Sequence, residues 1–147
     1  MNEREAILCR WFAMWLQREE LGIREIFAED ALYTESWGPV YHGAEAVAHW
    51  FAEWLTRGRV LAWDIHQFFH AGGQTVVTWY FQCQMGEDKP VGFEGVSVVS
   101  WAEDGRIASL TEYCCEPEQY DPYARGPEPV FDCKGRPLYE QFAGGGA

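Results

Sequence analysis

Apolar side chains recur along this chain at two spacings, one that dominates before residue 60 and one that dominates after it. Before that residue they recur every three or four positions, which is the spacing of a helix that buries one face. Two such stripes are present: Ile7, Leu8, Trp11, Phe12, Trp15 and Leu16, and then Val47, Trp50, Phe51, Trp54 and Leu55. Asn2 followed by Glu5 predicts the start of the first helix, and Gly58 predicts the end of the second. A shorter helix is predicted between them, over residues 22–28.

Beyond residue 60 the apolar positions alternate, which is the spacing of strands that bury one face. Four strands are predicted there, over residues 60–70, 75–85, 93–101 and 107–115, and an earlier one over residues 31–37. Short glycine-containing segments at residues 71–74 and 103–105 predict hairpin connections. Helices followed by a run of strands favour an α+β domain, with three N-terminal helices packed on one face of a curled antiparallel sheet.

Residues 116–147 break both patterns. Prolines interrupt this segment at positions 117, 122, 127, 129 and 137, and it ends in three glycines and an alanine. It still carries aromatic side chains: Tyr120, Tyr123, Phe131, Tyr139 and Phe142. We therefore predict one folded domain over residues 1–115 and an irregular extension over residues 116–147 that packs on the domain or on a partner subunit.

The balance of charge narrows the choice of partners. There are 23 acidic residues against 11 Lys and Arg, a net charge of −12. Nucleic acids and anionic membrane surfaces are bound through basic patches, so this composition predicts neither as a partner. No apolar run approaches the roughly 18 residues that a membrane-spanning helix needs. A neutral or cationic small molecule, or a protein, remains open.

The cysteines predict a reducing compartment. The five are Cys9, Cys83, Cys114, Cys115 and Cys133, an odd number at irregular spacing without a CxxC pair. Secreted disulfide frameworks have even counts in shorter chains, so free thiols in the cytoplasm are favoured. The N-terminal segment, residues 1–5, is acidic and lacks the basic region with which a signal peptide begins.

Glu112 is the first candidate for chemistry. Strand alternation places Leu110 and Glu112 on one face with Ala108 and Cys114. A carboxyl group desolvated among such neighbours has a raised pKa and suits general acid or base catalysis near neutral pH. The alternative is a glutamate at a sheet edge that is solvated or paired with an arginine.

Glu35 is the second candidate. Alternation places it on the same strand face as Tyr33 and Trp37, just before a Gly-Pro bend. A carboxylate flanked by aromatic rings at the mouth of a sheet is well placed to abstract a proton. The alternative is a solvated acid at the end of a strand.

Aromatic residues make up 16% of the chain, and such rings build both cores and ligand pockets. If the inner strand faces turn toward the helices, Trp79 and Phe81 form an apolar wall, which Trp11 and Trp15 complete. Ser97 would then supply a hydrogen bond to a ligand, and Tyr33 and Leu110, which share strand faces with the two acids, are also candidate ligand contacts. The alternative for each of these side chains is ordinary core packing.

No metal or cofactor is predicted. His66 and His70 lie on one predicted strand, where four residues at about 3.3 Å each separate them by roughly 13 Å, too far to share an ion. Asp64 and His66 share a face, but no third ligand is evident. The sequence also lacks GxGxxG, P-loop, HExxH and GxSxG motifs.

Several segments together resemble the nuclear transport factor 2-like superfamily, in particular its SnoaL-like branch. They are FAEDALYTE at residues 27–35, FEGVS at residues 93–97, DGRI at residues 104–107 and the Glu112-Tyr113 pair. The resemblance covers residue 11 to about residue 113. It implies a cone-shaped curled sheet that encloses a pocket with the helices, and commonly a homodimer through the sheet.

The resemblance also implies roles for the two acids. In the steroid isomerases of the superfamily the base lies at the end of the first strand, where this chain has Glu35. In the epoxide hydrolases an acid of the last strand works in the pocket, and Glu112 resembles it. The isomerase tyrosine and second acid are replaced by Trp11 and Ser97, and the hydrolase arginine and aspartate by Trp79 and Phe81. The resemblance therefore implies a pocket geometry and no named reaction.

Three hypotheses follow from the sequence. The first is an acid/base enzyme of isomerase, dehydratase, cyclase or hydrolase type, without a cofactor, that acts on a small hydrophobic substrate through Glu35 and Glu112. The second is a module that binds a small hydrophobic ligand without chemistry. The third is an interaction subunit whose aromatic residues only fill the core and a dimer face.

Overall fold

The computed structural model describes residues 1–115 and 118–131. The chain divides into two compact units, Met1–Pro117 and Glu118–Ala147, and the candidate site lies in the first. In the second unit, the amide of Tyr123 donates to the Asp121 carboxylate and that of Val130 donates to the Pro122 carbonyl. The predicted extension beyond residue 131 lies outside the described residues. No helix in the described part of the chain is long and apolar enough to cross a membrane.

Helix α1, Glu3–Gln17, begins at the residue that the sequence predicts. The Asn2 side chain accepts a hydrogen bond from the Glu5 amide at 2.9 Å, and the Glu5 carboxylate accepts one from the Asn2 amide at 3.2 Å. This reciprocal capping box satisfies two otherwise unpaired donors of the first turn. The helix ends at Arg18, whose backbone is left-handed. Its guanidinium donates to the carbonyls of Leu55 and Gly58, which joins the end of α1 to the end of the third helix.

The other two helices are α2, Ile23–Ile26, and α3, Ala44–Leu55. The second is shorter than predicted, because Phe27 already starts a strand. Both α1 and α3 turn their apolar stripes inward, and Trp11, Trp15, Val47, Trp50 and Phe51 are all buried. The predicted amphipathic helices are therefore confirmed.

Within the residues that the structure describes, the sheet has six strands: β1 Phe27–Thr34, β2 Val40–His42, β3 Gly58–Ala71, β4 Gln74–Met85, β5 Val91–Trp101 and β6 Ile107–Cys114. Their order is β2-β1-β6-β5-β4-β3. The short strand β2 was not predicted, because three residues are too few to show alternation. The α+β class and the curled, open sheet beside the helices are confirmed.

One strand pair departs from the antiparallel expectation. Strand β1 pairs in parallel with β6, with Thr34 opposite Thr111, while every other neighbouring pair is antiparallel. The chain between β1 and β6 contains a helix and three long strands, so sequence spacing could not indicate this contact. The pairing brings the end of the first strand beside the last strand, where the two candidate acids lie.

Candidate active site

A cavity of about 180 Å³ lies between the helices and the sheet of the first unit. An apolar cavity of about 150 Å³ is large enough to hold benzene, so this one has room for a small organic molecule. Six indole rings line it: Trp15, Trp37, Trp50, Trp54, Trp63 and Trp79. Phe81 and Phe93 add two more rings, and Glu35 and Glu112 supply its two carboxyl groups.

Glu112 reaches the cavity from β6, opposite Ser97 of β5 in the antiparallel register. Strand alternation turns it to the same side as Leu110, which is fully buried. The hydroxyl of Tyr33 on β1 donates a hydrogen bond to Glu112 Oε2 at 2.7 Å. The pairing of β1 with β6 thus gives this acid a fixed, uncharged partner.

The surroundings of Glu112 favour its protonated form. Burial raises its pKa most, the hydrogen bond from Tyr33 lowers it, and the negative charge of Glu35 raises it, so that the pKa moves from 4.5 to about 8 in all. Among the described residues Glu112 forms no ion pair. At neutral pH it is therefore mostly a carboxylic acid that can donate a proton.

Glu35 follows the last residue of β1 and is held in a turn. Its amide donates to the Pro39 carbonyl at 2.9 Å, and its carbonyl accepts from the Gly38 amide at 3.2 Å. Gly38 has a φ of 124°, a backbone conformation that glycine adopts without strain. The hydroxyl of Tyr41 on β2 donates to Glu35 Oε2 at 2.7 Å.

The pKa of Glu35 is also raised, mainly by burial. The hydrogen bond from Tyr41 reduces this rise. The positive charge of Arg57 opposes the rise as well. Because Arg57 stabilises the charged form of Glu35, the pKa of Glu35 is raised less than that of Glu112. Two acids whose pKa values differ in this way suit opposite roles in proton transfer.

The two tyrosines that serve these acids are neighbours. Tyr33 and Tyr41 face each other across the β1–β2 register, with ring centroids 6.5 Å apart. Trp50 of α3 stacks on Tyr41 at 4.3 Å and contacts Tyr33 at 4.9 Å. One helix side chain therefore fixes both phenol rings and, through them, both carboxyl groups.

The sheet wall of the cavity is built around Trp79. Its indole N–H donates to the Ser97 hydroxyl at 3.0 Å, and both side chains are buried. A Cβ atom at Gly95, the residue opposite Trp79 on β5, would lie only 2.4 Å from the indole ring. Glycine at this position therefore makes the space that the Trp79 ring occupies.

Five of the predicted site residues line the cavity: Glu35, Glu112, Trp15, Trp79 and Phe81. Four others are fully buried and do not line it: Trp11, Tyr33, Ser97 and Leu110. The predicted wall position of Trp11 is corrected, because the ring packs inside α1, β1 and α3 against Trp15 and Phe27 at 5.4 and 4.9 Å. Tyr33 and Ser97 lie behind the wall, where their hydroxyls hold Glu112 and Trp79.

Sequence reasoning did not assign several wall residues to the site. Trp50 and Trp54 carried a helical signal, since they lie one turn apart on the apolar stripe of α3. Trp63 carried none, because the register of β3 shifts between Val60 and Ala62. The shift lets both Val60 and Trp63 face inward, which strict alternation forbids.

A second, more open groove of about 590 Å³ adjoins the cavity. Five residues line both: Glu35, Trp37, Trp50, Trp54 and Met85. The outer groove also contains charged side chains, among them Arg57 and Glu53, which pair with each other at 2.7 Å. Glu35 therefore lies where the inner cavity meets the outer groove.

The structure contains no arrangement for a metal among its described residues, since no three His, Cys, Asp or Glu side chains are grouped to hold an ion. His66 instead contacts Glu94 at 2.8 Å, and His70 contacts Glu5 at 3.0 Å. Cys9, Cys83, Cys114 and Cys115 are free thiols, and Cys133 lies outside the described residues.

A curled sheet that meets the helices around an aromatic cavity defines a protein of the nuclear transport factor 2-like class. Residues 8–110 match the SnoaL-like domain, and the chain therefore belongs to this family. No curated protein matches the chain in sequence.

Solved structures of low sequence identity share this fold. An epoxide hydrolase of the LEH-like type from M. tuberculosis has a TM-score of 0.68 at 16% identity, covering 77% of this chain and 83% of that one. A proposed SnoaL-like polyketide cyclase from Mesorhizobium loti has a TM-score of 0.61 at 21% identity, covering 77% and 99%. A hypothetical protein from Catenulispora acidiphila with a ketosteroid isomerase-like fold, in complex with trimethylamine, has a TM-score of 0.62 at 18% identity, covering 73% and 83%.

Proposed function

We propose that this chain is an acid/base enzyme that acts on a small hydrophobic molecule held in the aromatic cavity. The observation that carries the proposal is the presence of two partly buried carboxyl groups in one apolar cavity, each hydrogen-bonded to its own tyrosine. Fold relatives described as an epoxide hydrolase and a polyketide cyclase support this class of chemistry. The reaction would be an isomerisation, dehydration, cyclisation or hydration.

The pKa shifts support different roles for the two acids. Glu35, whose charge is stabilised by Arg57 and Tyr41, is the general base. Glu112, whose pKa is about 8, is the general acid that returns a proton to the substrate. The indole and phenyl rings exclude water from both groups, which strengthens every electrostatic interaction between them and the substrate.

The neutral aromatic 5-nitrobenzisoxazole provides a test that needs no knowledge of the natural substrate. Glu35 would take the proton from carbon 3 while the N–O bond breaks, and the coloured product is 2-cyano-4-nitrophenol. We expect Glu35→Gln to lower kcat/KM by about 100-fold or more and Glu112→Gln by about tenfold, because each removes one partner of the proton transfer. Glu94→Gln is the matched control, since Glu94 is exposed and pairs with His66.

Binding is measured separately with 5-nitroindazole, which has the same shape but cannot open. Quenching of tryptophan fluorescence should report an unchanged affinity in both variants. Parent-like turnover in both Glu35→Gln and Glu112→Gln would show that the assignment is wrong.

A non-catalytic binding module is the second candidate, and one observation favours it. The hydroxyl donors in contact with the two acids are already engaged: Tyr33 donates to Glu112 and Tyr41 donates to Glu35. A substrate oxyanion would have to compete for them. Binding of 5-nitroindazole without turnover of any probe by the parent would favour this candidate.

We further propose that the enzyme is cytoplasmic and that it forms a homodimer. The free thiols support a reducing compartment. Tyr113, on the strand face opposite to that of Glu112, is 58% exposed, and Phe69 of β3 is 50% exposed. Exposed apolar side chains on a sheet support an interface through that face.

A further inference from the structure

The charged groups of the inner cavity all have the same sign. Of the described residues that line it, Glu35 and Glu112 are acidic and none is Lys, Arg or His. Arg57, whose charge acts on Glu35, lines the outer groove and is occupied by a bidentate pair with Glu53. A bound anion would therefore meet two carboxyl groups and no compensating cation.

The rest of the wall consists mainly of indole rings. Indole has the most negative ring face of the aromatic side chains, and a cation within about 6 Å of a ring centroid is attracted to it. Trp15 and Trp54 have centroids 5.3 Å apart at 81°, and Trp63 and Trp79 have centroids 5.7 Å apart at 81°. Because neighbouring rings are nearly perpendicular, their faces point in different directions around the cavity. A cation inside so small a cavity lies near several rings at once.

We propose that the substrate or ligand of this cavity is an organic cation with apolar substituents, of the substituted-ammonium type. The inference rests on the proposed function of the same site and specifies the chemical class that it accepts. The aromatic rings contact the apolar groups and turn their faces to the charge. Glu35, and Glu112 once it has lost its proton, provide the opposite charge. The net charge of −12 also attracts a cation from solution.

Cation binding should be linked to proton release. Burial keeps Glu112 protonated in the empty cavity, and a cation beside it would favour the carboxylate. The other titratable groups that face Glu112 are Tyr33, Glu35 and Tyr41, and Cys83 of β4 also lines the cavity. Burial raises the pKa of both tyrosines, so they stay neutral below pH 9. The affinity for a cation should therefore rise as the pH increases through about 8.

Choline and 3,3-dimethylbutan-1-ol test the proposal, because they have nearly the same shape and differ in charge. Isothermal titration calorimetry of the full chain at pH 8 should show choline binding at least about tenfold more tightly than the alcohol, as expected for a desolvated cation–π site. Equal affinities, or tighter binding of the alcohol, would overturn the cation proposal. The acid/base proposal would survive that result, because it fails on other outcomes: no turnover by the parent, or parent-like turnover in both Glu35→Gln and Glu112→Gln.

Variants locate the binding. Trp37 is 78% exposed and lines the cavity, so Trp37→Leu should weaken choline binding several-fold without affecting folding. Phe69→Leu is the matched control, since Phe69 is also an exposed aromatic side chain, at 50%, and lies outside the lining. Glu112→Gln should weaken choline binding and leave the alcohol unchanged. If Phe69→Leu weakens choline as much as Trp37→Leu, the site lies elsewhere and the proposal is wrong.

Discussion

At the residue scale, the two acids of the cavity show how a single hydrogen bond affects the pKa of a carboxyl group. Glu112 and Glu35 each accept a phenol hydroxyl at 2.7 Å, and burial raises the pKa of both. The pKa values differ first because Glu112 is the more deeply buried. In addition, Glu35 accepts a second hydrogen bond from Trp37 and feels the positive charge of Arg57, while Glu112 feels the negative charge of Glu35. A bond from a neutral tyrosine stabilises the carboxylate and so limits how far burial can raise its pKa.

Removing the Tyr33 hydroxyl should therefore raise the pKa of Glu112 above its present value of about 8. A hydrogen bond to a charged group contributes about 1.5–3 kcal/mol, so Tyr33→Phe should shift the titration upward by about one to two pH units. The ¹³C chemical shift of the Glu112 side-chain carboxyl, followed by NMR against pH, measures this directly. Tyr41→Phe is the control, because Tyr41 donates to Glu35. A titration of Glu112 that does not move in Tyr33→Phe would contradict this account.

At the scale of elements, the N-terminus of α1 is tied to the β3–β4 hairpin. The His70 ring contacts Glu5 at 3.0 Å and Thr75 at 2.8 Å, and Trp101 donates to the same Thr75 hydroxyl at 2.9 Å. The Arg4 guanidinium donates to the carbonyl of Gly72 in the turn. His70, considered in the sequence as half of a metal pair, thus anchors the helix that carries Trp15 to the sheet that carries Trp79.

The pairing of β4 with β5 sets the position of the cavity wall and gives a prediction at this scale. A Cβ at Gly95 would lie 2.4 Å from the Trp79 ring and 2.7 Å from the Tyr113 carbonyl, which is backbone and cannot rotate away. Gly95→Ala should therefore lower the free energy of unfolding by about 1–3 kcal/mol and displace Trp79. Urea denaturation measures the stability.

Gly73→Ala is the matched control for that substitution, because nothing lies within 4 Å of a Cβ at Gly73. It should change stability little. A Gly95→Ala protein as stable as Gly73→Ala would mean that the strands separate easily at this point.

At the scale of the whole molecule, the buried acid links the site to folding. The pKa of Glu112 is 4.5 in its ordinary state and about 8 in the fold, so between these pH values the folded chain keeps a proton that the unfolded chain has lost. Stability from this group is therefore fully present below pH 4.5 and is lost as the pH rises toward 8. The proposed catalytic acid thus costs stability under the conditions in which it would work.

The substitution Glu112→Gln should remove this loss of stability at high pH. Between pH 5 and pH 8.5 the stability of the parent should fall relative to that of Glu112→Gln by about 3–5 kcal/mol, from 1.36 kcal/mol for each unit of pKa shift. Urea denaturation of both proteins across this range measures the difference, in which the titrations of the exposed acids cancel. A difference that stays constant with pH would show that Glu112 titrates normally in the fold.

The sequence alone determined the elements of this protein and the polarity of its faces. Helical and alternating spacings are local properties of the chain, so α1, α3 and the four long strands could be predicted from them, as could the capping box at Asn2. The same alternation turned Leu110 and Glu112 to one face. Candidate acids could be identified because a carboxyl group among apolar neighbours is unusual.

Only the tertiary structure decided which of these groups meet. The parallel pairing of β1 with β6 joins residues 79 positions apart, and it alone gives Glu112 its Tyr33 partner. The register shift in β3 turned Trp63 inward, and the packing of Trp11 placed a predicted wall residue in the core. Such contacts depend on the free energy of the whole packed arrangement, and no local spacing along the chain records them.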